Sequence, residues 1–278
     1  MKKIFVFVTA AVLMMTSGCS TSKKKNSQIT AIAETTSAVD DYEGITNISF
    51  SAVSEGVEME MGTTGAIALQ TYPFFADIDI SIYSDANETG PEQTNSRIIL
   101  EAKDGVNTIY LLQDGTWNSE KIESNKFRTA ASQYDVTENG RILLEATKNI
   151  QNTGSEEYNG ITANKYSGTI PKDTLPNILE STGSLSLVGT NIGRNYYRDC
   201  KDLPVDIWVD SGNVIVGYRL DLTETVQNLF NALFAENNVY DEAEIVQFNS
   251  YIAEGSVSTY NKGIEAVLPA EAQNTNDN

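Results

Sequence analysis

The chain contains few residues that could catalyse a reaction. Asp206, Asp210 and Asp221 lie close together in the sequence, and a pair of carboxylates can act as acid and base in glycoside cleavage. These aspartates alternate with apolar residues along predicted strands, and Lys201 and Arg219 lie nearby. The pattern is typical of the solvated face of a half-buried sheet. A hydrolase is therefore the least favoured of the functions considered.

Histidine is absent from the chain, which excludes His-dependent catalytic triads and His-containing zinc sites. Residues 135–140 imitate the start of an EF-hand loop, but Ala146 stands at the twelfth position, where the loop needs a bidentate Glu. Asp135 fits better as a helix N-cap, with Glu138 three residues later. The sequence also has no phosphate-binding loop and no dinucleotide fingerprint. We predict a non-enzymatic protein with no catalytic residues, no cofactor and no metal.

Cys19 is the residue whose surroundings point most clearly to a chemical modification. Lys2 and Lys3 precede an apolar run from Ile4 to Met15. This run is too short to cross a hydrocarbon core of ~30 Å, so it predicts an export signal. Small residues, Thr16-Ser17-Gly18, then lead to Cys19.

The residues before Cys19 resemble the lipobox of bacterial lipoproteins, although Thr16 stands where that motif usually has Leu. The resemblance implies cleavage before Cys19, attachment of a diacylglycerol to its sulfur and acylation of the new amino terminus. An ordinary secretory signal with an incidental cysteine is the alternative. We predict a lipoprotein signal peptide over residues 1–18 and a lipidated Cys19 with a polar tether over residues 19–28. The protein would then be extracytoplasmic and anchored to a bacterial membrane.

The charge of the mature chain limits its partners. Its 260 residues would contain 17 basic and 38 acidic side chains, a formal charge of −21. Such a surface repels nucleic acid phosphates and anionic lipid headgroups, so contact with the membrane would come from the lipid anchor. If the lipid occupies Cys19, the other cysteine, Cys200, has no disulfide partner. Cys200 is more simply an incidental or half-buried thiol than a nucleophile.

Periodicity predicts an antiparallel sheet with a few helices. Apolar residues alternate with polar ones from Ile45 onward, which is typical of strands that are half-buried in an antiparallel sheet. Amphipathic spacing predicts a first helix over 27–41, a second that begins after Asp135, and a third over 225–235 capped by Thr223. Other predictions are a short helix over 171–180, a mobile connection over 181–195, a hairpin over 203–222, a loop over 152–160, two closing strands over 244–251 and 255–261, and a frayed tail beyond Pro269.

The order of these elements resembles the LolA/LppX-like envelope lipoproteins. The segments that support the resemblance are the helix 29–41 followed by the strand 45–50, the strand 158–170, the hairpin 203–210 with 218–224, and the closing segment 260–272. It implies a single α+β domain over residues 29–272, followed by a disordered tail over 273–278. The implied fold is a strongly curved antiparallel sheet, a half-barrel, whose concave face is covered by helices.

Characterised members of the resembled family hold acyl chains or other apolar ligands on the concave face. The resemblance therefore implies that this protein binds, shuttles or senses an apolar, lipid-like ligand at the cell envelope. The predicted cavity wall consists of Ile48, Phe50, Met59, Ile80, Leu100, Val226, Phe230 and Phe234. The same periodicity is equally compatible with a filled core, in which case the protein would be an interaction or assembly module for an unidentified envelope partner.

Overall fold

In a computed structural model, eleven antiparallel strands form one sheet. The structure describes residues 27–85, 90–189, 192–237, 246–264 and 267–273. The strands are β1 (Asp41–Ser54), β2 (Val57–Gln70), β3 (Phe75–Asp85), β4 (Glu92–Lys103), β5 (Val106–Gln113), β6 (Thr116–Lys121), β7 (Lys148–Tyr158), β8 (Ile161–Ile170), β9 (Leu203–Val209), β10 (Ile215–Asp221) and β11 (Gln247–Tyr260). The helices are α1 (Ser27–Ser37), α2 (Ser124–Ser132), α3 (Val136–Ala146), α4 (Leu175–Ser181), α5 (Thr223–Glu236) and α6 (Ala270–Gln273).

The order of the strands places the two ends of the chain at the middle of the sheet. The order is β6-β5-β4-β3-β2-β1-β11-β10-β9-β8-β7, so β1 pairs with β11 and joins two meanders. Ile48 lies opposite Ala253 and Phe50 lies opposite Tyr251 in this central pair. The sheet is therefore one continuous ladder, although its two halves come from opposite parts of the chain.

Helices α1, α3, α4 and α5 pack on one face of the sheet. Their buried side chains belong to the same hydrophobic cluster as Tyr42 of β1, Tyr218 of β10 and Tyr251 of β11. Helix α3 lies at the centre of this layer and contacts β1, β9, β10 and β11. The main core thus lies between this helical layer and one face of the sheet.

Asp135 and Tyr42 fix the start of α3. The Asp135 carboxylate accepts a hydrogen bond from the backbone N–H of Glu138 at 2.9 Å, as an N-cap does. The Tyr42 hydroxyl accepts from the N–H of Val136 at 2.8 Å and donates to Asp135 at 3.2 Å. Burial raises the pKa of the Asp135 carboxyl and raises that of Tyr42 well above its ordinary value. The central strand β1 and the cap of α3 therefore share one hydrogen-bonded cluster.

A second, smaller apolar cluster lies on the opposite face, at the β7 edge. The rings of Tyr158 and Trp208 stack with their centroids 4.0 Å apart, and the Trp208 indole N–H donates to Glu156 at 2.7 Å. Gly217 leaves space for the Tyr158 ring, because a Cβ there would come 2.1 Å from a ring carbon. The ladder between β7 and β8 is irregular between Lys148 and Gln151 and between Asn152 and Gly154. The β7 edge is thus attached to the sheet partly through side chains.

The antiparallel sheet with helices is confirmed, and so are the Asp135 cap and the hairpin that becomes β9 and β10. The strong curvature of a half-barrel stays a prediction. Helix α1 ends at Ser37, four residues before the predicted end, and continues almost directly into β1.

Several predictions of local structure were wrong. The loop predicted over 152–160 is mostly strand β7, whose polar side chains are exposed and so show no alternation. The two predicted closing strands are one strand, β11, with Gly255 in its interior. Thr223 does not cap α5; instead its N–H and hydroxyl donate to the Asp221 carboxylate. The tail predicted to fray beyond Pro269 begins with α6, in which Ala272 is buried. The predicted disordered tail lies outside the described residues from 274 onward.

Gly255 tests the packing at the centre of the sheet. A Cβ at this position would lie 2.6 Å from a ring carbon of the buried Tyr218, whereas one at Gly62 of β2 would have its nearest contact at 3.6 Å. We expect Gly255→Ala to lower the free energy of unfolding by about 1–3 kcal/mol through overpacking. Gly62→Ala is the matched control and should lower it much less. Urea denaturation of both variants measures the difference, and equal losses would contradict this account of Gly255.

Candidate functional site

A connecting segment crosses the apolar face of the sheet between the helices. It comprises residues 182–193, of which 182–189 and 192–193 are described. Gly183 and Gly189 have positive φ angles of 63° and 130°, which favour glycine because it lacks a Cβ. Leu185, with 5% of its surface exposed, anchors the segment in the main core. The segment thus turns twice through backbone geometry that other residues rarely adopt, while one leucine keeps it against the core.

An inner cavity lies between the connecting segment and the sheet. Its volume is about 80 Å³, and Ile48, Gly65 and Ala253 are among the sheet residues that line it. Polar side chains also line it, namely Thr46, Thr63, Gln133, Thr182, Ser184, Ser186 and Tyr218. The hydroxyls of Thr182 and Ser184, both buried, are 2.6 Å apart and share a hydrogen bond. Burial raises the pKa of Tyr218 to about 12, so its hydroxyl is neutral at physiological pH. The inner cavity therefore combines apolar walls with uncharged hydrogen-bonding groups.

An outer cleft lies next to the inner cavity, between α2, α4 and the connecting segment. Its volume is about 510 Å³. Gln133, Gly183 and Ser186 line both spaces, so the cleft and the cavity are neighbours. Leu179, Leu185 and other apolar side chains form much of the cleft wall, and Arg194 and Glu180 are its charged residues. Together the two spaces extend from the protein surface to the sheet at Ile48.

Among the eight residues predicted to form an apolar cavity, Ile48 lines the inner cavity. Phe50, Phe230 and Phe234 come together in an aromatic cluster with Phe248 and Tyr251. In this cluster the Phe50 and Tyr251 rings stack at 6.0 Å, and the Phe230 and Phe248 rings meet edge to face at 4.9 Å.

The other four predicted residues lie apart from the aromatic cluster. Ile80, Leu100 and Val226 are buried in the main core, and Met59 is half-buried near the start of β2. Sequence reasoning missed the polar wall of the inner cavity and the walls contributed by α2 and α4. The one signal for them was the glycine content of the connecting segment.

The aspartates considered for catalysis each have their own local partner. Asp206 forms an ion pair with Lys165 at 2.8 Å. Asp210 accepts hydrogen bonds from backbone N–H groups of its own turn, and Asp221 accepts from Thr223. Within the described ranges, no group of three or more Cys, Asp or Glu residues is arranged to hold a metal ion. These aspartates therefore act in local structure.

Cys19 and the predicted signal peptide lie outside the described residues, which begin at Ser27. No helix in the described part of the chain is both long enough and apolar enough to span a membrane.

Comparison with known proteins gives two similar solved structures. No protein-family model and no curated protein matches the sequence. The lipoprotein LppX of Mycobacterium tuberculosis is 15% identical, with a TM-score of 0.47 over 87% of this chain and 97% of that one. LprF of Mycobacterium bovis is 10% identical, with a TM-score of 0.45 over 87% of this chain and 95% of that one. The resemblance predicted from the sequence is thus found again in the structure. The function is argued below from this chain's own residues.

Cys200 provides a test of the buried layer beneath α5. Its thiol is 3% exposed, and burial raises its pKa to about 11. In a Cys19→Ser chain Cys200 is the sole thiol. We expect it to react with Ellman's reagent at pH 8 at least about 100-fold more slowly in the folded protein than in guanidinium chloride, because the thiolate is the nucleophile. Fast reaction of the folded chain would contradict the burial of this thiol.

Proposed function

We propose that this protein is a lipoprotein, anchored through Cys19, that binds an apolar, lipid-like ligand at the cell envelope and shuttles or senses it. The observation that supports the proposal is the pair of neighbouring spaces beneath the connecting segment. The outer cleft, of about 510 Å³, falls within the roughly 300–1,000 Å³ range of small-molecule sites. A chain that enters this cleft would meet Leu179 and Leu185 and then Gly183, beyond which the inner cavity begins.

The connecting segment would act as the movable wall of this site. Its glycines allow backbone changes at Gly183 and Gly189, and the hydrogen bond between Thr182 and Ser184 is internal to the segment. Displacement of Leu185 would therefore uncover the apolar face of the sheet without breaking strand pairing. Curvature of the sheet toward the helices would then enlarge the space available to an acyl chain.

The anchor would keep the site close to the membrane. Cys19 precedes Ser27, the first residue of α1, by eight positions, and eight extended residues span at most roughly 28 Å. A ligand taken from or delivered to the same membrane would have a short path to the protein. Lipidation of Cys19 is part of the proposal.

The second candidate function is an envelope interaction or assembly module with a filled core. One observation favours it: Ile80, Leu100 and Val226 are buried together in the main hydrophobic cluster. This candidate requires no ligand, so the two functions differ in whether the purified protein contains a bound apolar molecule.

Native mass spectrometry separates the two functions. The chain from Ser27 onward is purified without detergent, and any adduct is extracted with organic solvent. Ligand binding predicts a stoichiometric adduct that is recovered as lipid. A mass equal to that of the protein alone, unchanged after incubation with lipid vesicles, would contradict ligand binding and favour the interaction module.

Ile48 connects the adduct to the inner cavity. We expect Ile48→Trp to fill that cavity and to lower the adduct about tenfold or more, because a larger side chain would occupy the ligand's volume. Ile45→Trp is the matched control: Ile45 is 46% exposed and lies three positions earlier on β1, on the opposite face. Equal adduct in both variants would place the ligand elsewhere.

Cys19→Ser tests the anchor in cells. The variant should move from the membrane fraction to the soluble fraction and should no longer incorporate labelled palmitate. A variant that stays membrane-bound and labelled would show that the lipid lies on another residue.

A further inference from the structure

Arg194 has a different kind of partner from most of the other arginines. Four arginines pair with carboxylates, namely Arg97, Arg141, Arg198 and Arg219. Arg194 instead donates from Nη2 to the neutral amide oxygen of Asn177 at 2.5 Å. Among the described residues, no carboxylate lies within ion-pair distance of Arg194. The remaining N–H groups of this guanidinium therefore stay available to an anion.

Arg194 and Asn177 both line the outer cleft. Leu179, Leu185 and Tyr197 line it too, and all three are buried in the main core. The cleft thus has an exposed cationic donor at the surface and a continuous apolar wall behind it. An amphiphile with one polar end and one apolar chain has the same sequence of properties.

The guanidinium group favours a particular polar end. Its planar fork of N–H donors matches carboxylate and phosphate oxygens and binds them through charge-assisted hydrogen bonds. The Asn177 side chain uses its oxygen to accept from Arg194, so its NH₂ group can donate to the same anion. Arg194 and Asn177 together present donors from a cation and from a neutral amide.

We propose that the outer cleft selects amphiphiles with an anionic head, a carboxylate or a phosphate, which binds to Arg194 and Asn177. The acyl chain lies along Leu179 and Leu185 toward Gly183 and the inner cavity. This inference rests on the proposed function, and it adds the chemical class and the orientation of the ligand.

Glu180 opposes this preference and sets its strength. Its exposed carboxylate also lines the cleft, in a protein that is strongly acidic overall. An anionic head therefore gains from Arg194 and loses from Glu180, and Glu180→Gln should tighten binding of anions several-fold.

The test compares three probes with the same oleoyl chain: oleate, oleoyl lysophosphatidate and neutral monoolein. They are titrated below their critical micelle concentrations into the full mature chain with Cys19→Ser, which needs no detergent. We expect both anions to bind more tightly than monoolein. Arg194→Gln should weaken both anions about tenfold, as expected for the loss of a charge-assisted hydrogen bond, and should leave monoolein unchanged. Arg194→Lys, which keeps the charge but not the fork, should fall between the two.

Arg198→Gln is the matched control, because Arg198 lies four residues later in the same 3₁₀ segment and pairs with Asp199. It should leave all three affinities unchanged. Equal binding of the three probes with no effect of Arg194→Gln would overturn the anionic selectivity while leaving apolar binding intact. Binding of none of the probes would count against the proposed function itself. A preference between oleate and lysophosphatidate would support the inference and would identify the head as carboxylate or phosphate.

Discussion

The pairing of β1 with β11 is the constraint on which the rest of this structure depends. These two strands of 14 residues each join the meander β2–β6 to the strands β7–β10. Tyr42 and Tyr251, one from each strand, point into the core that the helices cover. Because Tyr42 also binds the first turn of α3, the position of the helical layer follows from the position of the central strands. Loss of this pair would separate both the sheet and its cover.

The face beneath the helices is divided into a filled part and a hollow part. Around Phe50 and Phe248 the aromatic rings pack against one another and leave no role for a ligand in that packing. Beneath residues 182–193 the wall changes to hydroxyls, amides and glycine, which fill less volume and keep hydrogen-bonding capacity. A site of this kind suits a ligand that must be released again, since part of its binding is polar and directional.

The sequence predicted best where local patterns decide the structure. Alternation identified most half-buried strands, and Asp135 with Glu138 identified the start of α3, because both signals lie within a few residues. Strand β7 was missed because both of its faces are polar and exposed. Gly255 was taken for the start of a new strand, although it is required by a ring from β10 that no local pattern reveals. The hollow was placed around Phe230 rather than Gly183, because periodicity does not report which apolar residues end up in contact.

The irregular edge strand β7 has a consequence for a protein concentrated on a surface. An open sheet has unpaired backbone groups at its edges, and neighbouring molecules can join there into continuous β-structure. In β7, Asn149 and Gly154 have positive φ angles and interrupt the regular spacing of donors and acceptors. Lys148, Glu156 and Glu157 add charge along the same edge. This edge is thus a poor template for aggregation, which would allow many copies to crowd together without polymerising.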